Sequence, residues 1–298
     1  MAFVATIIAD GLTKQQVDDA WHALKHAAGA RPDRSWHWLD DGFAADLPFT
    51  RNDDPDFSPI DALRDLGFHA DIIIQPAANR EKTLLVADMD STMITVECID
   101  ELADYAGIKD RIAEITERAM RGELDFAQAL DARVALLKGL DAGAIDRCLA
   151  ERVRLMPGAR TLIRTMKARG AYSVLVSGGF TRFADPVGAQ IGFDRVIANR
   201  LTIANGVLDG TVGKPIVDSS TKLATLEAAM AELGLPREAT LAVGDGANDL
   251  AMIGAAGLGV AYHAKPIVAA AAGARIDHND LTALLWAQGI ARKDWVLG

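Results

Sequence analysis

The chain has 298 residues, half of them hydrophobic, and carries 41 acidic against 31 basic side chains for a formal net charge of −10. This length and apolar fraction suit about two domains with buried cores. The acidic excess excludes nucleic acid as an expected partner, because binding to a phosphate backbone needs a basic face. The sequence has neither an apolar stretch of the ~20 residues that span a bilayer nor an export signal at its start. We therefore expect a cytoplasmic protein with no membrane contact.

Residues 1–77 predict a separate α+β domain. An alternating strand over residues 3–9 precedes a helix over 13–28, a hairpin over 35–48, a short helix over 59–66 and a last strand over 71–75. The order βαββαβ is typical of a ferredoxin-like fold. Thirteen Asp, no Glu and six basic residues give this region −7 of the total charge of −10.

Two aspartates end the next predicted strand. Residues 84–87 are all apolar, which is typical of a buried parallel strand, and Asp88 and Asp90 follow. Because side chains in an extended segment repeat every two residues, both carboxylates point to one side at the carboxyl end of the sheet. Two like charges this close raise a pKa unless a cation neutralises them, so the pair indicates a hard divalent ion such as Mg²⁺. An acidic cap after an ordinary strand is the alternative for this pair alone.

A second strand, over residues 172–176, ends in Ser177-Gly178-Gly179. A hydroxyl and exposed N–H groups at a strand-to-helix turn form an anion nest. Further along, Lys222 opens a predicted helix over residues 222–233 and can balance the charge of a phosphate. Taken singly, Ser-Gly-Gly is a common loop, and a lysine at the start of a helix is usually a solvated side chain.

A third apolar strand, from residue 241, leads into Gly244-Asp245-Gly246, and Asp249 opens the following helix. The glycines allow a sharp turn and a close approach of the backbone. Asp245 adds a third carboxylate to a metal ion that already has two. Such an ion usually keeps several waters and takes a phosphate oxygen as a further ligand.

These motifs together resemble one family. Asp-x-Asp-x-Thr at residues 88–92, Ser-Gly after a strand, a lysine, and Gly-Asp-Gly-x-Asn-Asp at residues 244–249 occur in the order seen in the haloacid dehalogenase superfamily of phosphotransferases. The resemblance covers residues 80–298. It implies an α/β fold, with a Rossmann-like doubly wound parallel sheet in a phosphatase domain of residues 78–298 and a helical cap insert over about 94–156.

The resemblance also implies roles for single residues. Asp88 would be the nucleophile that forms an aspartyl-phosphate, and Asp90 the general acid and base. Mg²⁺ would be bound by the Asp88 carboxylate, the main-chain carbonyl of Asp90 and Asp245, while Asp249 orients the waters on the metal. The groups expected to bind the phosphate and the remainder of the substrate around it are Ser177, Gly178, Lys222 and Asn248.

The cap insert carries the information on the substrate. Apolar residues spaced three and four apart predict helices over residues 94–156, which would form a lid over the site. Glu97 and Arg133 match what phosphoserine phosphatases carry at the mouth of the lid. A carboxylate suits the ammonium group of O-phosphoserine, and a guanidinium suits its carboxylate. Solvated helix charges are the alternative for Glu97 and Arg133.

The resemblance therefore implies Mg²⁺-dependent hydrolysis of O-phosphoserine to serine and phosphate, as in the last step of serine synthesis. The same core would equally support hydrolysis of another small phosphomonoester. The domain of residues 1–77 is similar in pattern to ACT-type modules, which bind amino acids or dimerise. Serine binding by this domain and a homodimer are thus further expectations. Two alternatives remain: a domain that serves only as an oligomerisation surface, and a chain that acts chiefly as an amino-acid sensor.

Overall fold

A computed structural model describes residues 1–26, 30–32, 35–51 and 58–298. These residues form an antiparallel N-terminal sheet, a parallel sheet of six strands and a separate two-stranded hairpin. Within the described ranges, no helix is long and apolar enough to cross a bilayer.

The N-terminal domain has the predicted ferredoxin-like arrangement. Its elements are β1 (Ala2–Ile8), α1 (Lys14–His26), β2 (Ala30–Pro32), β3 (His37–Asp40), β4 (Ala44–Arg51), α2 (Pro59–Arg64) and β5 (Asp71–Pro76). The strands are ordered β2-β4-β1-β5, and β3 also pairs with β4. The predicted end of the first helix, at residue 28, lies outside the described residues.

The parallel sheet confirms the Rossmann-like prediction. Its elements, with the hairpin between them, are β6 (Leu84–Ala87), β7 (Tyr172–Phe180), β8 (Arg195–Asn199), the hairpin strands β9 (Leu201–Ala204) and β10 (Val207–Val212), β11 (Thr240–Gly244), β12 (Leu258–Tyr262) and β13 (Ala274–Ile276). The strand order is β13-β12-β11-β6-β7-β8. Strands β7 and β8 extend the sheet on one side of β6. The chain then crosses to the other side of β6, where β11, β12 and β13 follow. The crevice where open α/β folds bind ligands therefore lies at the carboxyl ends of β6 and its two neighbours.

Helices cover the sheet and form the cap. The cap contains α3 (Cys98–Tyr105), α4 (Lys109–Met120), α5 (Phe126–Leu136) and α6 (Gly143–Glu151). The helices around the sheet are α7 (Ala159–Ala168), α8 (Thr181–Ile191), α9 (Ser219–Leu233), α10 (Leu250–Ala255), α11 (Pro266–Ala271) and α12 (Ala283–Ala287). The two connections to the cap pair with each other: Thr95 N–H donates to the Arg154 carbonyl at 3.0 Å, and Met156 N–H to the Met93 carbonyl at 2.9 Å.

The N-terminal sheet is buried on both faces. One face packs on α1 and α2 through residues such as Leu47 and Phe49. The other face contributes Ile8, Ala44 and Ile73 to the core of the domain that contains the parallel sheet. Because apolar side chains from both domains share this core, separating the domains would expose apolar surface to water.

Candidate active site

Three neighbouring strands of the parallel sheet end at the same edge, and each brings polar residues to it. Asp88 follows β6, Ser177 lies near the end of β7, and Asp245 follows β11. The registers align these ends, because Ala87 pairs with Leu175 on one side and with Val243 on the other. Residues far apart in the sequence therefore meet in one crevice.

Three carboxylates form a compact cluster in this crevice. One oxygen from each of Asp88, Asp245 and Asp249 lies within 4.8 Å of the other two. Burial, followed by the charges of Asp88 and Asp249, raises the pKa of Asp245 to about 7. Burial and the charge of Asp88 likewise raise the pKa of Asp249. Mutual repulsion disfavours the ionisation of these clustered carboxylates. They fit a hard divalent cation such as Mg²⁺, because its charge would neutralise theirs.

Lys222 lies beneath this cluster. Its side chain is 0% exposed, and its Nζ lies 2.6 Å from Oδ1 of Asp88 and 2.6 Å from Oδ1 of Asp249. Burial alone would lower the pKa of Lys222, but the two aspartates raise it above its usual value, so the ammonium stays charged. Helix α9 begins at Ser219, earlier than predicted, because Asp218 caps it by accepting the N–H of Thr221 at 2.9 Å.

Glycines allow the side chains to approach the backbone closely. A Cβ atom on Gly244 would lie 2.4 Å from Cγ of Asp249, and one on Gly179 would lie 2.9 Å from Oδ2 of Asp90. The N–H of Gly179 donates to Oγ of Ser177 at 2.8 Å. A larger residue at either glycine would displace a carboxylate of the crevice.

Asp90 has a carboxyl group whose pKa is also raised. Burial raises its pKa well above the usual range, and the charges of Glu97 and Asp88 raise it further. The main-chain N–H of Cys98 lies 3.4 Å from Oδ1 of Asp90. A raised pKa favours the protonated form of a carboxyl group, which can donate its proton.

The cap closes the crevice into a cavity of about 510 Å³. Of the residues predicted from the sequence, those that line the cavity are Asp88, Asp90, Glu97, Arg133, Ser177, Gly178, Asp245 and Asn248. Asp249 and Lys222 are both 0% exposed and lie deeper. The structure thus brings together the residues from the sheet edge and the two charged cap residues.

Sequence reasoning missed several residues of the site. Ser91 donates from Oγ to Oε1 of Glu97 at 2.7 Å, and Thr92 donates from Oγ1 to Oδ1 of Asp245 at 3.1 Å. Phe126 and Lys265, which were missed as well, line the cavity. Thr92 belongs to the Asp-x-Asp-x-Thr motif, so its position carried a signal. Lys265 and Phe126 lie at the starts of two helices. No sequence signal distinguishes them from ordinary surface or core residues.

Comparisons with known proteins show the family of the chain. The family model of haloacid dehalogenase-like hydrolases matches residues 85–254. The chain belongs to this family of hydrolases. A solved phospho-aspartyl intermediate analogue of phosphoserine phosphatase has a TM-score of 0.64 and 38% identity, and covers 69% of this chain and 98% of that one. Within the hydrolases, the chain belongs to the phosphoserine phosphatase family.

Two other matches extend over more of the chain. A phosphoserine phosphatase from Streptomyces coelicolor is 48% identical over 229 residues, which are 77% of this chain and 56% of the relative. The chain thus spans little more than half the length of that relative. A solved haloacid dehalogenase family hydrolase from Salmonella enterica serovar Typhi has a TM-score of 0.82 and 29% identity, and the match covers 98% of both chains. That structure therefore also matches the N-terminal domain.

Proposed function

We propose that the chain hydrolyses O-phospho-L-serine to L-serine and phosphate through an aspartyl-phosphate on Asp88, with Mg²⁺ as cofactor. The observation that carries the proposal is the convergence of Glu97 and Arg133 with Asp88 and Ser177 on one cavity of about 510 Å³. Groups suited to an ammonium, a carboxylate and a phosphate thus surround one space. The names of the relatives support the same activity, which would complete serine synthesis.

The metal site of the proposal uses the clustered acids. Asp88, Asp245 and the main-chain carbonyl of Asp90 would hold Mg²⁺, and Asp249 would orient its waters. The distance of at most 4.8 Å between the oxygens of Asp88, Asp245 and Asp249 supports this assignment. When bound, the ion supplies positive charge against the phosphate and the nucleophile, which otherwise repel each other.

In the first chemical step, a carboxylate oxygen of Asp88 attacks phosphorus and the bond from phosphorus to the serine oxygen breaks. Asp90 gives its proton to the departing serine oxygen, a role that its raised pKa supports. Ser177, the N–H of Gly178 and Asn248 would hold the phosphate oxygens. Lys222 contributes its charge from beneath, where it fixes the orientation of Asp88.

In the second step, water attacks the phosphorus of the aspartyl-phosphate. Asp90, now ionised, accepts a proton from that water, and the bond from phosphorus to the Asp88 oxygen breaks. Inorganic phosphate leaves, Asp88 regains its carboxylate and Asp90 regains its proton. The protein supplies positioning and charge stabilisation in both steps.

The test is phosphate release from L-phosphoserine, phosphothreonine, phosphohomoserine and sugar phosphates, with Mg²⁺ and with EDTA. We expect a Mg²⁺-dependent preference for L-phosphoserine. Arg133→Ala should lose activity on phosphoserine far more than on p-nitrophenyl phosphate, which has no carboxylate. Arg147→Ala is the matched control, because Arg147 lies on the same cap but pairs with Asp141 at 3.2 Å in an exposed position. Equal losses on both substrates in Arg133→Ala would favour the alternative of another small phosphomonoester.

We also propose that the N-terminal domain binds serine. The support for this proposal is the resemblance to ACT-type modules, and a cavity of about 420 Å³ lined by residues that include Ser35, His37 and Pro48 offers space for the ligand. Calorimetry of the full-length Arg133→Ala variant with serine tests this, since the substitution weakens product binding at the active site. A silent titration would remove the proposal.

The homodimer and the cytoplasmic location stay predictions, and sedimentation equilibrium tests the first of them.

A further inference from the structure

Ser91 is joined by a hydrogen bond to Glu97, which lines the cavity. The Ser91 hydroxyl donates to Oε1 of Glu97 at 2.7 Å. We propose that Ser91 is a positioning residue, which holds the Glu97 carboxylate where it meets the ammonium group of an amino-acid phosphomonoester. This inference rests on the proposed function, because it explains how one of its recognition residues is oriented.

The backbone at Ser91 is unusual. Its φ is +56°, in the left-handed region that favours glycine. The turn that holds it is closed by the N–H of Ser91, which donates to the carbonyl of Val96 at 3.4 Å. A position that suits glycine thus carries a side chain, and that side chain reaches across the turn to Glu97. Non-glycine residues in this conformation cluster at functional sites.

The start of helix α3 offers main-chain N–H groups as alternative hydrogen-bond partners for the Glu97 side chain. It is the N-cap residue of α3, where a side-chain oxygen can accept main-chain N–H groups of the first turn, yet it makes no such bond. Instead, the main-chain carbonyl of Glu97 accepts the N–H groups of Asp100 and Glu101, each at 3.1 Å. The Ser91 hydroxyl binds Oε1, and Glu97 lines the cavity. The second carboxylate oxygen then remains as an acceptor for the substrate.

The charges around Glu97 make a donor at this position useful. The pKa of Glu97 is raised overall, first by burial and then by the charges of Asp88 and Asp100. The hydrogen bond from Ser91 and the charge of Lys265 oppose this rise. An ammonium group binds the ionised carboxylate best, so a donor that stabilises the anion favours recognition. Ser91 therefore acts on both the direction and the charge of Glu97.

Thr92, the next residue, provides a contrast within the same turn. Its hydroxyl donates to Oδ1 of Asp245 at 3.1 Å and so supports the acidic cluster. Loss of that bond should affect every phosphomonoester, because all of them need the metal site. Loss of the Ser91 bond should affect only substrates with an ammonium group.

The experiment compares Ser91→Gly with the wild type on O-phosphoserine and on its deamino analogue, 3-phosphooxypropanoate, which keeps the phosphate and the carboxylate. Glycine accepts the positive φ without strain, so the variant removes the hydroxyl and leaves the backbone free to keep its path. We expect kcat/KM on phosphoserine to fall on the order of tenfold, mainly through KM, since a hydrogen bond to a charged group is lost. Activity on the analogue should change by about twofold or less.

Two control variants complete the design. Asn205→Gly also replaces a residue with φ of +54°, in the exposed turn between β9 and β10, and should leave the kinetics on both substrates unchanged. In Glu97→Gln, adding Ser91→Gly should cause little further loss on phosphoserine, because the two residues act as one unit.

The kinetic results distinguish a failure of the positioning role of Ser91 from a failure of the proposed function. Equal losses of Ser91→Gly on both substrates, or none on either, would overturn the positioning role while phosphoserine hydrolysis stands. A wild-type protein with no preference for phosphoserine over the deamino analogue would overturn the proposed recognition by Glu97, and the inference with it.

Discussion

Lys222 and Asp88 form an ion pair in which the lysine side chain is 0% and the aspartate side chain 8% exposed, with 2.6 Å between Nζ and Oδ1. We predict that Lys222→Met both unfolds more easily and loses the proposed phosphatase activity. Removing one partner of a buried pair leaves uncompensated charge and costs about 3–5 kcal/mol of unfolding free energy. Urea denaturation and phosphate release would measure the two effects.

The matched control for Lys222→Met is Lys214→Met. Lys214 pairs with Asp131 at 2.8 Å, but the two side chains are 58% and 49% exposed. An exposed pair contributes about 0–1 kcal/mol, so this variant should unfold nearly as the wild type does. If Lys222→Met kept its stability as well, the cluster would be more hydrated than the geometry indicates.

The second prediction concerns pH and metal removal. Asp245 has a pKa of about 7 in the metal-free fold against an ordinary value of 3.8. Because the pKa of Asp245 is higher in the folded than in the unfolded protein, its contribution to the free energy of unfolding is fully present when the pH is below the ordinary pKa. This contribution is lost as the pH rises towards 7. In the proposed metal site, Mg²⁺ would bind the ionised carboxylate and restore the lost stability. The increase in Tm from EDTA to Mg²⁺ should therefore grow between pH 5 and pH 8.

Asp245→Asn is the control for this pH dependence. The amide does not titrate, so the Tm difference between Mg²⁺ and EDTA should be smaller and vary less across the same pH range. Groups far from the cluster cancel, because each pH compares the same protein with and without the ion, whereas Asp249, whose pKa is also raised, would leave a smaller pH dependence in the variant. A difference that is independent of pH in the wild type would contradict the assignment of Asp245 to the metal.

Much of the catalytic fold follows from local signals. The apolar run of β6 is buried along its whole length and ends at Asp88, as the sequence indicates. The glycine turn at residues 244–246 likewise marks the end of β11. The order of these motifs along the chain places them at one sheet edge, because parallel strands with crossover connections align their carboxyl ends. Their proximity is thus a consequence of topology.

Other features depend on contacts that no local pattern records. Strand β12 contains Gly259 and Ala261, two residue types that disfavour strands. The glycine is nevertheless required, because a Cβ atom there would lie 1.9 Å from the carbonyl oxygen of Ile253. The hydrogen bond of Ser91 to Glu97 was also not predicted, since it depends on a left-handed backbone at a serine.

A third prediction separates the two steps of the reaction. With p-nitrophenyl phosphate the leaving group needs no proton, so Asp90→Asn should still form the aspartyl-phosphate. It lacks the base for the second step, and the intermediate should accumulate. We expect a rapid release of about one equivalent of p-nitrophenolate followed by a slow steady rate, measured by stopped-flow absorbance. Asp88→Asn, without the nucleophile, should show no rapid phase. A steady rate near that of the wild type in Asp90→Asn would refute the acid and base assignment.

A segment of the domain that contains the parallel sheet contacts both the N-terminal domain and the base of the cap. Asp71, at the start of β5 and 2% exposed, accepts the main-chain N–H groups of Asp277 at 2.7 Å and Asn279 at 3.0 Å. Further along this segment, the N–H of Leu281 donates to the carbonyl of Pro157 at 3.2 Å. The neighbouring Gly158 ends the connection from the cap, and a Cβ atom on it would lie 2.7 Å from the nitrogen of Thr282.

We therefore predict that Asp71→Asn loosens both ends of this connection. The amide presents an NH₂ group where the carboxylate accepted N–H donors, which should cost about 1–3 kcal/mol of unfolding free energy. Hydrogen exchange should accelerate at residues 277–279 and, through residues 280–282, at Gly158. Asp10→Asn is the control, since Asp10 is exposed at the end of β1 and its substitution should change stability by about 0.5 kcal/mol or less. Acceleration confined to residues 277–279 would show that the segment does not transmit the change to the base of the cap.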